Sequence, residues 1–477
     1  VKVCVVGAGP AGIAAAKVLL ERGSDVTVFD KYPRVGGIWA PGGCYDGLAN
    51  QSALRIFEFA DLANRLHFAG AVDTQRYLEH YARTFGVLGR LRPRTEVTAV
   101  RAVDGPGRLG ASGWTVDFRS PESEGEQRES FDQVVVASGA HHHVHVPELP
   151  GRAAFGGTVL HSNEVRYGTF TGRRVIIVGG GKSALDLATR AAREASSATL
   201  VQRKVNWMVP ERFLLGLVGY KWILFTRFGE ALLPRYHDPA CVRPLDRIDE
   251  RVKRVLWWLI IRDIMLSTGL ARLPKELRPA QALPFHLAHA GVMPRGYTRA
   301  VRRGRLTAKV SEVEAYTSEG LRLATGEEVA AEVIVFATGH RRVFPFLDPR
   351  VRIHDAAGRL RLYRGIVPPG ADGLGFVGFR QVFNNMMGVE LTAHWLARHL
   401  EGTLRATPTE EAVDERLAWQ EQVLPGSGGY DFGPYDIHCA DELMHDMGLP
   451  AHRTGNPLAE YLLPGGLAHR YADLAGG

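Results

Sequence analysis

Two glycine turns constrain this chain more than any other feature. GAGPAG, with Gly7, Gly9 and Gly12, follows the apolar, β-branched run Val1 to Val6 and opens the alanine-rich stretch Ala11 to Leu20. GGGKSA, with Gly179, Gly181 and Ala184, follows Val175 to Val178 and opens a second helical stretch. In a strand–turn–helix unit of this kind, the first glycine permits the tight turn and the second lets the backbone approach a pyrophosphate. The third position, Gly or Ala, allows close packing of helix on strand, and the helix N-terminus faces the anion. The fold class expected is α/β, with two Rossmann-like dinucleotide-binding domains and a helical insertion in the second. A chain of 477 residues has room for all three.

The strand after each turn separates the two sites. Asp25 to Phe29 ends on Asp30, where a carboxylate receives a ribose 2′-hydroxyl and repels a 2′-phosphate. That favours FAD or NAD. Ala198 to Val201 ends on Gln202, Arg203 and Lys204 with no acid, and a guanidinium fork there suits a 2′-phosphate, hence NADPH. After Asp30 comes RVGGIW, whose glycine pair allows a second close approach to the cofactor and whose Trp39 is placed to cover a flavin ring.

Around these units, Asp73 to Gly86 reads as an amphipathic helix with Tyr77, Leu78, Tyr81 and Phe85 on one face. Glu96 to Val100, Trp114 to Phe118 and Phe131 to Gly139 read as strands, with an acidic hairpin loop at Ser120 to Ser130. The tract His141, His142, His143, His145 lacks carboxylate or thiolate partners, so no metal is expected. Val205 to Pro294 loses the alternation of strand and helix and carries FLLGLVGYKWILF and VLWWLII. These are helices over a lipophilic entrance, a helical core, or a membrane-surface contact. Ala331 to His340 repeats the VVVASG pattern, and Gly373 to Phe379 with Val389 to Leu400 reads as the last strand and helix of the first domain. Beyond Gly402 a polar tail, with a Gly/Tyr/Pro-rich loop at Pro425 to Tyr435, is expected to wrap the body.

The net charge of +7 is scattered, mostly as Arg, which argues against a nucleic-acid partner. Cys4, Cys44, Cys241 and Cys439 form no C-x-x-C, which excludes a disulfide-reductase centre and fits a reducing compartment. No apolar run reaches membrane-spanning length and no signal peptide is read at the start, so a cytoplasmic protein is expected.

Together GAGPAG, Asp30, GGIW, YDGL with Asn50 and Gln51, Phe155/Gly157/His161 with Ser162, GGGKSA, Arg203 and ATGH at Ala337 to His340 resemble the flavin-containing monooxygenases, a group of class B flavoprotein monooxygenases. The resemblance covers most of the chain apart from Val205 to Pro294. It implies that NADPH reduces FAD, that a flavin C4a-(hydro)peroxide forms with O2, and that a small, lipophilic substrate is oxygenated. His161 is then a domain-coupling residue rather than a base. Three departures stand out. The fingerprint ends in an aromatic where this chain has Val165, and the Baeyer–Villiger subgroup has Trp-Pro there. Gln51, not Asn50, aligns with the family's active-site Asn. ATG-Tyr becomes ATG-His340. Alternatives are a Baeyer–Villiger enzyme acting on a ketone and a non-catalytic FAD/NADP-binding protein.

The expected catalytic contact is Asn50 or Gln51. Expected cofactor-binding residues are Gly7, Gly9, Pro10, Ala11, Gly12, Asp30, Lys31, Gly37, Ile38, Trp39, Val97, Gly179, Gly181, Lys182, Ser183, Ala184, Arg203, Lys204, Thr338 and Gly339. Expected domains are 1–165 with 331–402 for FAD, 166–330 for NADP with an insertion at about 205–294, and a 403–477 extension. The partners are a small-molecule substrate and O2. A membrane-surface contact is the less favoured reading of the insertion, and a homodimer is compatible with the sequence.

Overall fold

A computed structural model describes residues 1–477 except 54, 65, 215, 284–289, 384, 405, 427–430, 434, 466, 467 and 477. Parts of the insertion and of the Pro425 to Tyr435 loop therefore lie outside the described residues.

Two five-stranded parallel sheets organise the chain. In the first, the order is Leu374–Phe376, Gln133–Val136, Lys2–Val6, Asp25–Phe29, Leu91–Arg92. In the second it is Thr307–Val310, Ser197–Gln202, Arg174–Val178, Val333–Phe336, Thr158–His161. Each sheet places the strand before its glycine turn between the next strand in the chain and a returning one. That is a topological switch point, where a crevice opens beyond the carboxyl ends of the strands. The central strands are buried on both faces, as their runs of Val and Ile require. The helices Pro10–Glu21 and Lys182–Glu194 start at the turns.

Strand placement differs from expectation in two places. Thr158–His161 and Val333–Phe336 are expected with the first domain but pair in the second sheet. VVVASG and VIVFATG are equivalent elements of different sheets, each lying beside a strand that feeds a glycine turn. Local sequence cannot say which sheet a strand joins. The second difference is at Ser120 to Ser130, where Glu126–Phe131 is a strand paired with Trp114–Arg119. Its residues are mostly exposed, so no apolar alternation marks it. Arg101 and Arg128 pin it through Asp117, whose carboxyl is held down at about 2 chiefly by its bond to Arg128.

The tail enters the body rather than wrapping it. The helix Asp436–Asp446 is almost wholly buried against the helix Asn385–Leu400 and the insertion. Its acids are paired across the chain. Glu442 meets Arg364, Arg380 and His237, Asp441 meets Arg227 at 2.5 Å, and Asp446 takes the Trp395 indole N–H at 2.9 Å. Removing one member of such a buried set costs about 3–5 kcal/mol, because the other charge is left unpaired.

His438 sits between Glu230 (Nδ1, 2.6 Å) and Asp246 (Nε2, 3.2 Å). Burial disfavours its imidazolium, but bonds to Asp246 and Glu230 override this and raise it from 6.5 to about 9. Its stabilisation is complete below the unfolded value near 6.5 and is lost as pH rises through about 9. Glu390 adds a slope of the same sign: burial raises it to about 8, so it keeps its proton while the unfolded chain ionises. The melting temperature is therefore expected to fall between pH 6.5 and 9, and His438→Gln to remove part of that fall; parallel melting curves across that range check it.

Candidate cofactor and active site

A cavity of about 500 Å³ opens at the switch point of the first sheet. Gly7, Gly9, Pro10, Ala11, Asp30, Lys31, Gly37, Ile38, Trp39 and Val97 line it, with Ser138, His141 and Asn163 opposite. Gly7 has φ +108°, and a Cβ on it would lie 2.5 Å from the Ala137 carbonyl oxygen. Gly12 packs beneath, where a Cβ would lie 1.8 Å from the Gly7 carbonyl oxygen. Gly9 caps the helix Pro10–Glu21 with no side chain, leaving its N-terminal N–H groups to the cavity. Asp30 accepts the N–H of Ala8 at 2.6 Å and of Tyr32 at 2.8 Å. Burial, working against those two bonds, holds its carboxyl above the usual range. The Ser138 hydroxyl is buried at the wall with no partner. A glycine cradle that any Cβ would fill, an uncapped helix start and an unpartnered hydroxyl fit a dinucleotide. Trp39 is buried, edge-on to Phe57 at 5.6 Å.

The second crevice repeats the construction. Gly179 has φ +144°, and a Cβ there would meet the Ala337 carbonyl oxygen at 2.3 Å, the counterpart of Gly7 on Ala137. Ala184 takes the place of Gly12 and is buried. Gly181 caps the helix Lys182–Glu194, again without a side chain. Asn206 braces the turn through the Gly180 carbonyl at 3.0 Å. Arg203 and Lys204 are exposed beyond the strand Ser197–Gln202, and neither is paired with an acid among the described residues. An unpaired guanidinium at that strand end is open to a phosphate.

Lys182 is engaged elsewhere. It pairs with Asp186, which also accepts the Tyr45 hydroxyl at 3.0 Å. These contacts belong to a joint that the sequence did not reveal. Asp46 donates its N–H to the Val165 carbonyl at 3.0 Å and accepts the Tyr167 N–H at 2.8 Å. Arg166 reaches the Cys44 carbonyl at 3.0 Å, and Arg190 reaches the carbonyls of Asp46 at 3.0 Å and Arg166 at 2.9 Å. Val165 is buried with Tyr45 and Phe170 and does not line the cavity. Its side chain is a packing residue of this joint.

Thr338 and Gly339 lie outside the cavity, at the crossing between the sheets. The Thr338 hydroxyl donates to the His145 carbonyl, and the Gly339 carbonyl accepts the His145 N–H at 3.0 Å and the His161 Nε2 at 3.2 Å. Nδ1 of His161 accepts the Asn163 N–H at 3.3 Å, so both ring nitrogens are occupied and Nε2 carries the proton. Burial lowers its pKa. A buried imidazole bonded on both sides holds backbone together; it is not free to move a proton.

Asn50 and Gln51 diverge. Asn50 is buried, with Nδ2 3.5 Å from the Thr74 hydroxyl and Oδ1 accepting the Ser52 N–H at 3.3 Å. Gln51 accepts the Val292 N–H at 2.7 Å through Oε1, and a Cβ on Gly291 would lie 3.1 Å from both that atom and the Cβ of Lys182. Gln51 thus stands beside the start of the second glycine-turn helix, while Asn50 is tied into the first domain. Neither lines the cavity. Tyr220 of the insertion accepts the Ala53 N–H at 2.9 Å and donates to the Gln51 carbonyl at 2.7 Å, so the insertion is docked on this loop. An isolated Tyr in an apolar run gives no sequence signal for that.

The profile of the family described as flavin-binding monooxygenase-like matches residues 1–242 and 300–429. The chain is 28% identical to probable flavin-containing monooxygenase 1 of Arabidopsis thaliana, over 98% of this chain and 95% of that protein. It is 26% identical to human flavin-containing monooxygenase 1, over 88% of this chain and 77% of that one. Among solved structures, open cyclohexanone monooxygenase superposes with a TM-score of 0.67 at 19% identity, covering 88% of this chain and 93% of the other. S-allyl-L-cysteine S-oxygenase from Allium sativum gives 0.63 at 21% identity, covering 94% and 89%. Two dinucleotide crevices on one chain, matched at this breadth, define a flavoprotein monooxygenase. The chain belongs to the flavin-binding monooxygenase-like family, and its cofactors are FAD and NADPH.

Proposed function

We propose that the first crevice holds FAD, the second holds NADPH, and the enzyme inserts one oxygen of O2 into a small, lipophilic organic substrate. The observation that carries this reading is the repeated crevice, Gly7 on Ala137 and Gly179 on Ala337, joined by one hydrogen-bonded loop and linker. When bound, the flavin supplies hydride acceptance and O2 activation. The chain's own residues bind and orient. The N–H groups opened by Gly9 and Gly181 face pyrophosphates, Asp30 selects a free ribose, and Arg203 with Lys204 receives a 2′-phosphate. The joint of Tyr45, Asp46, Arg166 and Arg190 fixes one crevice against the other. A lipophilic substrate is supported by the apolar cluster in which insertion residues Trp207, Phe213, Tyr220 and Phe225 pack with Ala53 and Ile56.

Gln51 is the contact we assign at the active site, because it bonds the insertion at Val292 and lies across Gly291 from Lys182, the first residue of the second turn's helix. Gln51→Ala is expected to raise the hydrogen peroxide released per NADPH consumed while leaving stability near wild type. Asn50→Ala is expected to lower stability by about 1–3 kcal/mol, the cost of unmaking buried hydrogen bonds, with little change in that ratio. Peroxide assays beside denaturant melts separate the two. The reaction itself is tested by substrate-stimulated NADPH consumption across amines, sulfides, indoles and ketones, with product mass measured. A mass gain of one oxygen supports the reading; NADPH consumption that no compound stimulates opposes it.

A further inference from the structure

The first cavity has two ends of different make. Phe29, Val97 and Phe346 belong to one apolar cluster, beside Asp30, while Trp39, Phe57, Met386 and Val389 belong to another. With Asp30 at the ribose of FAD, the flavin ring falls at the Trp39 end. Residues 378–382 wall that end. A Cβ on Gly378 would lie 2.8 Å from that of Ala11, and Gln381 lines the cavity with an amide that bonds no other described residue. Arg380, between them, is buried in the tail instead. Its guanidinium donates to the Arg364 carbonyl at 2.8 Å, the Cys439 carbonyl at 3.2 Å and the Tyr236 hydroxyl at 3.3 Å, and it pairs with Glu442. The backbone of the same wall is held from the tail too, because the strand Gln381–Val382 pairs in parallel with Asp431–Gly433. The tail thus grips this wall at two points, one through backbone and one through a guanidinium.

We propose that Arg380 is a positioning residue for the oxygenation: held by Glu442, it fixes the wall that carries Gln381 against the bound flavin. A planar guanidinium bonded at four points cannot shift without unmaking a charge-assisted bond, so the wall it carries is rigid. A rigid wall keeps water out and suppresses side reactions. Loosening it lets reduced flavin pass its two electrons to O2, so that NADPH, a proton and O2 give NADP+ and hydrogen peroxide. The inference rests on the first crevice holding FAD and the second NADPH. Glu442 keeps Arg364 and His237 as partners, so Arg380→Met leaves that buried carboxylate paired.

The test uses the full FAD-loaded chain with NADPH and no organic substrate. Two rates are taken per bound flavin: hydrogen peroxide formed in air, and flavin reduction without O2. Arg380→Met is expected to raise the first about tenfold relative to the second, with flavin content near wild type. Asp446→Asn is the control. It unmakes bonds to Arg364 at 2.9 Å and Trp395 at 2.9 Å in the same buried layer, and Asp446 bonds neither Arg380 nor Gln381 among the described residues. That variant should melt earlier and leave the ratio of rates unchanged. A ratio unchanged in Arg380→Met, or raised equally in Asp446→Asn, overturns the proposal. Should Arg380→Met not fold, Arg380→Lys, which keeps the charge beside Glu442 but not the fork, must raise the ratio, and an unchanged value there overturns it. A wild type that binds FAD but is not reduced by NADPH contradicts the proposed function itself and overturns this inference with it.

Discussion

Gly7→Ala is expected to yield protein without bound FAD, and Gly179→Ala to yield flavin-loaded protein that NADPH reduces poorly. The two substitutions are chemically identical and meet the same obstacle. At Gly7 the new Cβ would lie 2.5 Å from the Ala137 carbonyl oxygen, and at Gly179 it would lie 2.3 Å from that of Ala337. Both obstacles are backbone, and both residues have positive φ, so neither side chain nor torsion can relieve the contact. The torsion alone costs about 1–3 kcal/mol, and the clash adds to it. Each turn should open away from its sheet and withdraw its N–H groups from a pyrophosphate. At least a hundredfold loss of affinity is the rough expectation, about 2.7 kcal/mol. Visible absorbance per protein measures flavin loading, and anaerobic stopped-flow measures reduction. Loss of FAD in Gly179→Ala with retention in Gly7→Ala would reverse the assignment of the crevices.

Arg203→Ala is expected to erase the preference for NADPH over NADH. The guanidinium is exposed at the strand end and pairs with no acid among the described residues, so no ion pair among them is lost on substitution. The expected loss falls on the 2′-phosphate alone. A charge-assisted, bidentate bond to phosphate is worth roughly 3 kcal/mol, about a hundredfold in kcat/KM for NADPH. NADH should be unaffected, and Lys204→Ala should have a smaller effect, because an ammonium lacks the fork. Steady-state kinetics with both nucleotides check it. An unchanged ratio would mean that the phosphate is bound elsewhere.

Much of this was legible in the residues because the relevant physics is local. A glycine turn between strand and helix is contiguous, and the acid or cation at the next strand end lies at a fixed distance from it. The placement of Val333–Phe336 was not legible, since its run of Val, Ile and Phe fits either sheet equally well. The strand Glu126–Phe131 was hidden by its exposure. The buried ionic layer of Asp436–Asp446 was hidden for the opposite reason: its partners Arg227, Arg364 and Arg380 lie far away in sequence, and the tail alone reads as solvated. Thr338 and Gly339 look like cofactor contacts in sequence, and in the structure the Thr338 hydroxyl bonds to His145 and the Gly339 carbonyl to His145 and His161. His161 reads as a coupling residue from its place in the linker, while its bonds run to Asn163 beside it and to Gly339 just past the neighbouring strand of the same sheet.

The central claim is that the two crevices act as a pair, one nucleotide reducing what the other holds. Anaerobic addition of NADPH to the FAD-loaded protein tests it most directly. Complete loss of oxidised-flavin absorbance at stoichiometric NADPH, about a hundredfold faster than with NADH, is the predicted result. Persistence of the oxidised spectrum in excess NADPH would contradict it.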